Sequence, residues 1–131
     1  MTSSPTGNGL RIGFDVAPIT TRRTGVGNYC YYLLKHLLNS GSPCSFHGLS
    51  TGGARIDLSG LPPLASHRHL PIPTRVMYAL WNSVGLPKVD VLLNGVDVYH
   101  ATNYFLPPTR HAARVVTIHD LAFIAVPELC S

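Results

Sequence analysis

A chain of 131 residues suits one domain with a real core and is short for two. Hydrophobic residues make up 45% and charged residues 12%, which excludes an intrinsically disordered chain. The net charge is +4, but the basic residues are scattered, Arg22-Arg23 is the only doublet and no aromatics interleave with it, so a nucleic-acid surface is not expected.

A modest basic excess fits a phosphorylated ligand or an acidic membrane surface equally well. No apolar run approaches the ~20 residues that cross a bilayer. The first nine residues are polar, lack the charged and apolar regions of a secretory signal, and read as a flexible tail. A cytoplasmic chain is the default expectation, at the inner face of the membrane if the surface contact is made. The three cysteines, Cys30, Cys44 and Cys130, are odd in number and show no metal-ligand spacing, so neither a disulfide framework nor a cysteine metal site is expected.

Residues 10–16 (LRIGFDV) are short, apolar and bounded by turn residues, and predict the first strand of a buried sheet. Residues 17–24 form a polar loop. The period then changes: Val26, Tyr29, Cys30, Leu33, Leu34, Leu37 and Leu38 follow the i, i+3, i+4, i+7 rule of an amphipathic helix, with Cys30 on its core face. Asn39-Ser40-Gly41 stops that helix. A second strand is expected over residues 45–49. Residues 51–73 hold four of the eleven prolines and predict an irregular stretch with a short strand near Leu70, in which His67-Arg68-His69 reads as a solvated loop. Thr74 is placed to cap a helix through Val76, Met77, Leu80 and Trp81, which Gly85 and Pro87 end. Trp81 reads as a core or interface residue. A short helix over residues 88–93 ends at Asn94-Gly95. Strands follow over residues 97–101 and 114–119. The order is that of an α/β fold, Rossmann-like, with a mostly parallel sheet and helices on both faces.

In such sheets ligands bind outside the carboxyl ends of the strands. Three features fall there. The first is Gly25-Val26-Gly27: glycine lets the backbone approach a ligand, and the N–H groups at the start of the helix that follows are a natural seat for phosphate. The same glycines also suit a plain tight turn. The pattern is not GxGxxG, and no acid stands about 20 residues on to hold a ribose, which disfavours a dinucleotide dehydrogenase. The second is His119-Asp120, a strand-end imidazole able to donate to a sugar hydroxyl or a phosphate. The third is His100 with Thr102 and Asn103. Tyr104-Phe105 either line an acceptor groove or anchor a loop on the core. His100 and His119 lack a third ligand, so no metal is expected. A nucleophile elbow, a Walker A lysine and a close acid pair are all missing, and with them any basis for a hydrolase or a kinase.

Four segments in this order, RIGFDVAPI (11–19), TGVGNYCYYLLKHL (24–37), DVYHATNYFLPP (97–108) and VVTIHDLAF (115–123), resemble the N-terminal domain of family 4 retaining glycosyltransferases of the GT-B architecture. Residues 42–72 match only loosely. The resemblance implies transfer of a hexose, with mannose the family's suggestion, from a nucleotide-sugar to a glycan or lipid-linked acceptor. It makes Gly25, Val26 and Gly27 the loop facing the donor diphosphate and His119 the contact to the donor sugar. It sets His100, Thr102, Asn103, Tyr104 and Asp120 along the acceptor crevice. No cofactor or metal is implied. The family's second domain carries a Glu-x7-Glu segment, whereas Glu128 is the sole glutamate here. Residues 10–131 are thus expected to be an incomplete acceptor-side domain, inactive alone, whose donor domain belongs to a separate chain or is lost. The alternative is a non-catalytic carbohydrate- or protein-binding domain on the same fold.

Overall fold

A computed structural model describes residues 9–102 and 105–118. The expected tail up to Asn8, Asn103, Tyr104 and everything from His119 onward lie outside the described residues. The elements are β1 (Arg11–Asp15), α1 (Gly25–Leu38), β2 (Ser45–Thr51), β3 (Ser66–Leu70), α2 (Thr74–Ser83), α3 (Val89–Leu92), β4 (Val98–Ala101) and β5 (Ala113–Val116). The five strands form one parallel sheet in the order β3-β2-β1-β4-β5. This is the Rossmann-like α/β arrangement expected from the sequence. The strand order turns back at β1, whose neighbours are β2 and β4, and that is where such sheets open a crevice.

The two periodicities explain the layers. Phe14 registers with Gly48 and Asp15 with Leu49, so Phe14 and Leu49 point to opposite faces. On one face Phe14, Val16, Ile19 and Phe46 pack against Cys30, Tyr31 and Leu34 of α1. On the other, Leu49, Tyr99 and Ala101 pack against Met77 and Trp81 of α2 and Val89 of α3. Each large side chain buried this way stabilises the fold by about 1.5–3 kcal/mol. Cys30 is a core residue as expected, fully buried, and burial pushes its thiol up to about 11. Trp81 is likewise buried, its indole N–H donating to the Pro87 carbonyl at 2.8 Å.

Two local expectations change. His67-Arg68-His69 is not a loop but the middle of β3, registered on Gly48, Leu49 and Ser50 of β2. The ladder to β2 makes the strand, and its polar residues suit an edge. Thr74 does not cap α2: Pro73 takes the cap position and its carbonyl accepts from the Val76 and Met77 N–H groups. The Thr74 hydroxyl instead lies 3.1 Å from that of Thr51, tying α2 to the end of β2.

The loop before β5 is held by Asp90. Its buried carboxylate accepts from the backbone N–H groups of Val91, Arg110, His111 and Ala112 at 2.7–3.1 Å. Burial raises the pKa of this carboxyl, but the four N–H donors outweigh it and leave the group below its ordinary value.

Candidate functional site at the carboxyl end of the sheet

The chain leaves β1 at Asp15, crosses the top of the sheet and enters α1 at Gly25. Thr24 stands at the cap position in an extended conformation but makes no side-chain cap, and the first turn of α1 contains no acid. Helix geometry leaves the N–H groups of that turn without partners inside the helix. The crossing segment is fixed from the side by the loop after β2: Thr20 bridges Ile56, the Thr21 N–H donates to the Arg55 carbonyl at 3.1 Å, and the Asp57 N–H donates to the Ile19 carbonyl at 2.9 Å. Arg23 lies over the Tyr31 ring, 4.1 Å from its centre, and donates to the Asn28 side chain at 3.0 Å.

The two glycines of the turn differ. Gly27 is buried, and a Cβ there would run into the Pro18 carbonyl and the Arg23 side chain. Glycine at 27 is therefore required by the packing of the crossing segment on α1. Gly25 is exposed, and a Cβ there would meet nothing within 4 Å. Among the described residues no contact calls for glycine at 25. Val26 between them lines the cleft described next and also packs against the α1-side core.

An open cleft of about 360 Å³ lies between this turn and α2. Its polar wall consists of Asp15, Thr20, Arg22, Thr24, Thr74 and Tyr78. A smaller cavity of about 30 Å³, room for a water molecule, adjoins it and is bounded by Asp15, Ser50, Thr51, Thr74 and Tyr99. Asp15 thus faces both. Burial raises its carboxyl to about 6, against the lowering effect of the Ala17 N–H, which donates to Oδ1 at 3.0 Å, and of the Thr102 hydroxyl. Tyr78, Trp81 and Phe105 form an aromatic stack beside the cleft: Phe105 lies 4.3 Å from Tyr78 and 5.5 Å from Trp81, centre to centre.

His100 and Thr102 are at the end of β4, as expected, but neither lines the cleft. The His100 ring packs edge-on against Phe14 at 5.1 Å, and its Nε2 is 2.7 Å from the Thr117 hydroxyl. Burial lowers its pKa. Thr102 is fully buried and donates to the Asp15 backbone carbonyl at 2.9 Å, joining β4 to β1. His119, Asp120, Asn103 and Tyr104 lie outside the described residues. Of the two readings of Tyr104-Phe105, Phe105 follows the core-anchoring one. Sequence reasoning passed over Asp15, Thr20, Arg22, Thr74 and Tyr78. Asp15 carried a signal: it is the last residue of the first strand of a parallel sheet, at the edge where ligands bind. Thr74 and Tyr78 carried none, because the direction a helix turns toward a neighbouring loop is a tertiary property.

Comparison with known proteins found no matching family model, no matching curated protein and no matching solved structure. What fold and site define is a Rossmann-like α/β domain with a polar cleft at the carboxyl end of β1. Among the described residues no group of three or more His, Cys, Asp or Glu side chains is gathered for a metal, and no helix is long and apolar enough to cross a membrane.

Proposed function

We propose that this chain is the acceptor-side domain of a retaining glycosyltransferase, and that the β1–α1 turn receives the diphosphate of a nucleotide-sugar. The observation that carries this reading is the open cleft at the start of α1, lined by Arg22 and Thr24 beside an uncapped helix N-terminus. The helix start supplies N–H donors and partial positive charge, and Arg22 supplies a full charge. Gly25 lets phosphate oxygens reach those N–H groups. Across the cleft, Asp15, Thr74 and Tyr78 offer the mixture of acceptors and donors that sugar hydroxyls need. The four-segment resemblance supports the same reading and alone assigns His119 to the donor sugar, with Asp120, Asn103 and Tyr104 near it.

In this reading the base and ribose of the donor are held by a second domain, on a longer form of this chain or on a separate one. Developing charge on the departing diphosphate is met by basic side chains and backbone N–H groups. The acceptor is a glycan or a lipid-linked glycan, and mannose is the proposed sugar. The proposed setting is the cytoplasm, with contact at the inner face of the membrane.

Amide NMR titration of the chain with GDP-mannose, UDP-glucose and pyrophosphate tests the proposal. The expected result is perturbation of the Gly25, Val26 and Gly27 amides by all three, with binding weakened roughly 10- to 100-fold in Arg22→Ala, the loss of one charged hydrogen bond. Perturbation elsewhere only, or none at millimolar ligand, overturns it. Shifts with oligosaccharide but not with diphosphate favour the non-catalytic alternative.

A further inference from the structure

We propose that His67 and His69 form a two-imidazole site for a late-transition divalent cation on the β3 edge of the sheet. Neither histidine lines the cleft, although Ser50 also bounds the small cavity beside it, and the site's existence does not depend on the glycosyltransferase reading.

Residues two apart on a strand project to the same face. His67 and His69 register with Gly48 and Ser50 of β2. Both rings turn toward one atom: His67 Nε2 lies 2.9 Å and His69 Nδ1 2.7 Å from the Ser50 hydroxyl oxygen. Ser50 is 1% exposed, whereas both histidines are exposed, so a hydrated ion reaches the rings from solvent and stops at the hydroxyl. Arg68, between them, projects to the opposite face and keeps its charge away from the pair. No further strand pairs with the outer edge of β3 among the described residues.

The donor set selects the ion. Imidazole suits Cu²⁺, Ni²⁺ and Zn²⁺, while Mg²⁺ and Ca²⁺ require oxygen ligands. Cu²⁺ is expected to bind most tightly, following the general order of divalent affinities. In the bound form the two facing nitrogens carry lone pairs and the ring protons sit on the outward nitrogens, which water satisfies. In the metal-free form the Ser50 hydroxyl donates to one facing nitrogen and accepts from the other, which holds both rings toward one point; on binding, the ion takes both lone pairs and these two hydrogen bonds are released. Water completes the coordination, so the site is weaker than a four-ligand structural zinc site.

The test is calorimetric titration of the tag-free full chain with CuCl₂, NiCl₂ and ZnCl₂, together with electron paramagnetic resonance of the Cu²⁺ form. One saturable site is expected, with nitrogen hyperfine structure from two imidazoles. His67→Ala and His69→Ala each reduce the signal to one imidazole and abolish saturable Ni²⁺ and Zn²⁺ binding. Ser50→Ala, which removes the group that pre-orients the metal-free rings, weakens binding by roughly a few-fold and leaves two imidazoles in the Cu²⁺ signal. His36→Ala and His111→Ala leave it unchanged, and circular dichroism verifies that every variant is folded. The proposal is overturned if the parent chain shows no saturable site, or if folded His67→Ala and His69→Ala bind as the parent does.

Discussion

Asp15 and Asp90 are both carboxylates within the fold, and their surroundings push them in opposite directions. Asp15 has one backbone N–H donor and is raised to about 6 by burial. Asp90 has four backbone N–H donors and is held below its ordinary value despite burial. The linkage signs follow. The contribution of Asp15 is fully present below its unfolded pKa of about 3.9 and is lost as pH rises through about 6. The contribution of Asp90 is present above about pH 3.9 and is lost as pH falls through its depressed folded value. Urea unfolding between pH 3 and pH 8 should separate the two. Asp15→Asn is expected to remove the loss of stability between about pH 4 and pH 6 and to leave the acid limb in place. Asp90→Ala is expected to destabilise by roughly 2–4 kcal/mol at pH 7, since it strands several backbone donors, and to flatten the acid limb. An Asp90→Ala curve parallel to the parent below pH 4 would contradict this account.

At the scale of elements, the β1–α1 turn divides its labour between two glycines two residues apart. Gly27 gives way to the Pro18 carbonyl; Gly25 gives way to nothing among the described residues. Gly27→Ala is therefore expected to destabilise by roughly 1–3 kcal/mol through overpacking. Gly25→Ala is expected to stay within about 1 kcal/mol of the parent, on the stabilising side, because alanine narrows the unfolded ensemble. Thermal denaturation of the two variants decides the point; equal destabilisation would mean that both glycines serve packing. If the cleft receives a diphosphate, Gly25→Ala should weaken that binding while leaving stability intact. β3 makes a related point about edges. Its Ser-His-Arg-His run would be a poor central strand, yet the same residues discourage a further strand from adding there.

At the scale of the whole molecule, the described residues form one sheet with a core on each face. Phe14 belongs to the α1 side and Met77 to the α2 side, both fully buried. Because the strands are shared, the two cores should melt together. Phe14→Ala is expected to cost about 3–5 kcal/mol and Met77→Ala about 2–5 kcal/mol. Trp81, the single tryptophan, lies in the α2-side core and reports on it by fluorescence. In Phe14→Ala the Trp81 transition should move with the far-ultraviolet circular dichroism transition. A fluorescence midpoint that stayed at the parent value would show the faces to be independent.

The α/β class, the start of α1, its stop after Leu38 and the core status of Cys30 were all legible in the sequence, which left Trp81 open between core and interface. Each depends on a local period or a local stop signal, and burial of a continuous apolar stripe enforces both. The carboxyl end of the sheet was legible as the place where such a fold opens a crevice, and the cleft lies there. The strand character of β3 was not, because its ladder with β2 arises between segments and leaves no hydrophobic alternation in its own residues. Nor were most residues of the cleft wall, although Thr24 and Val26 of the β1–α1 turn were. Asp15, Arg22, Thr74 and Tyr78 come from three segments, and only the packing of α2 over the end of β1 brings them together. The sequence by itself determined which elements form and which of their faces are apolar. The tertiary structure decided which polar groups those faces leave exposed to one another, since that depends on distances between segments that no local pattern encodes.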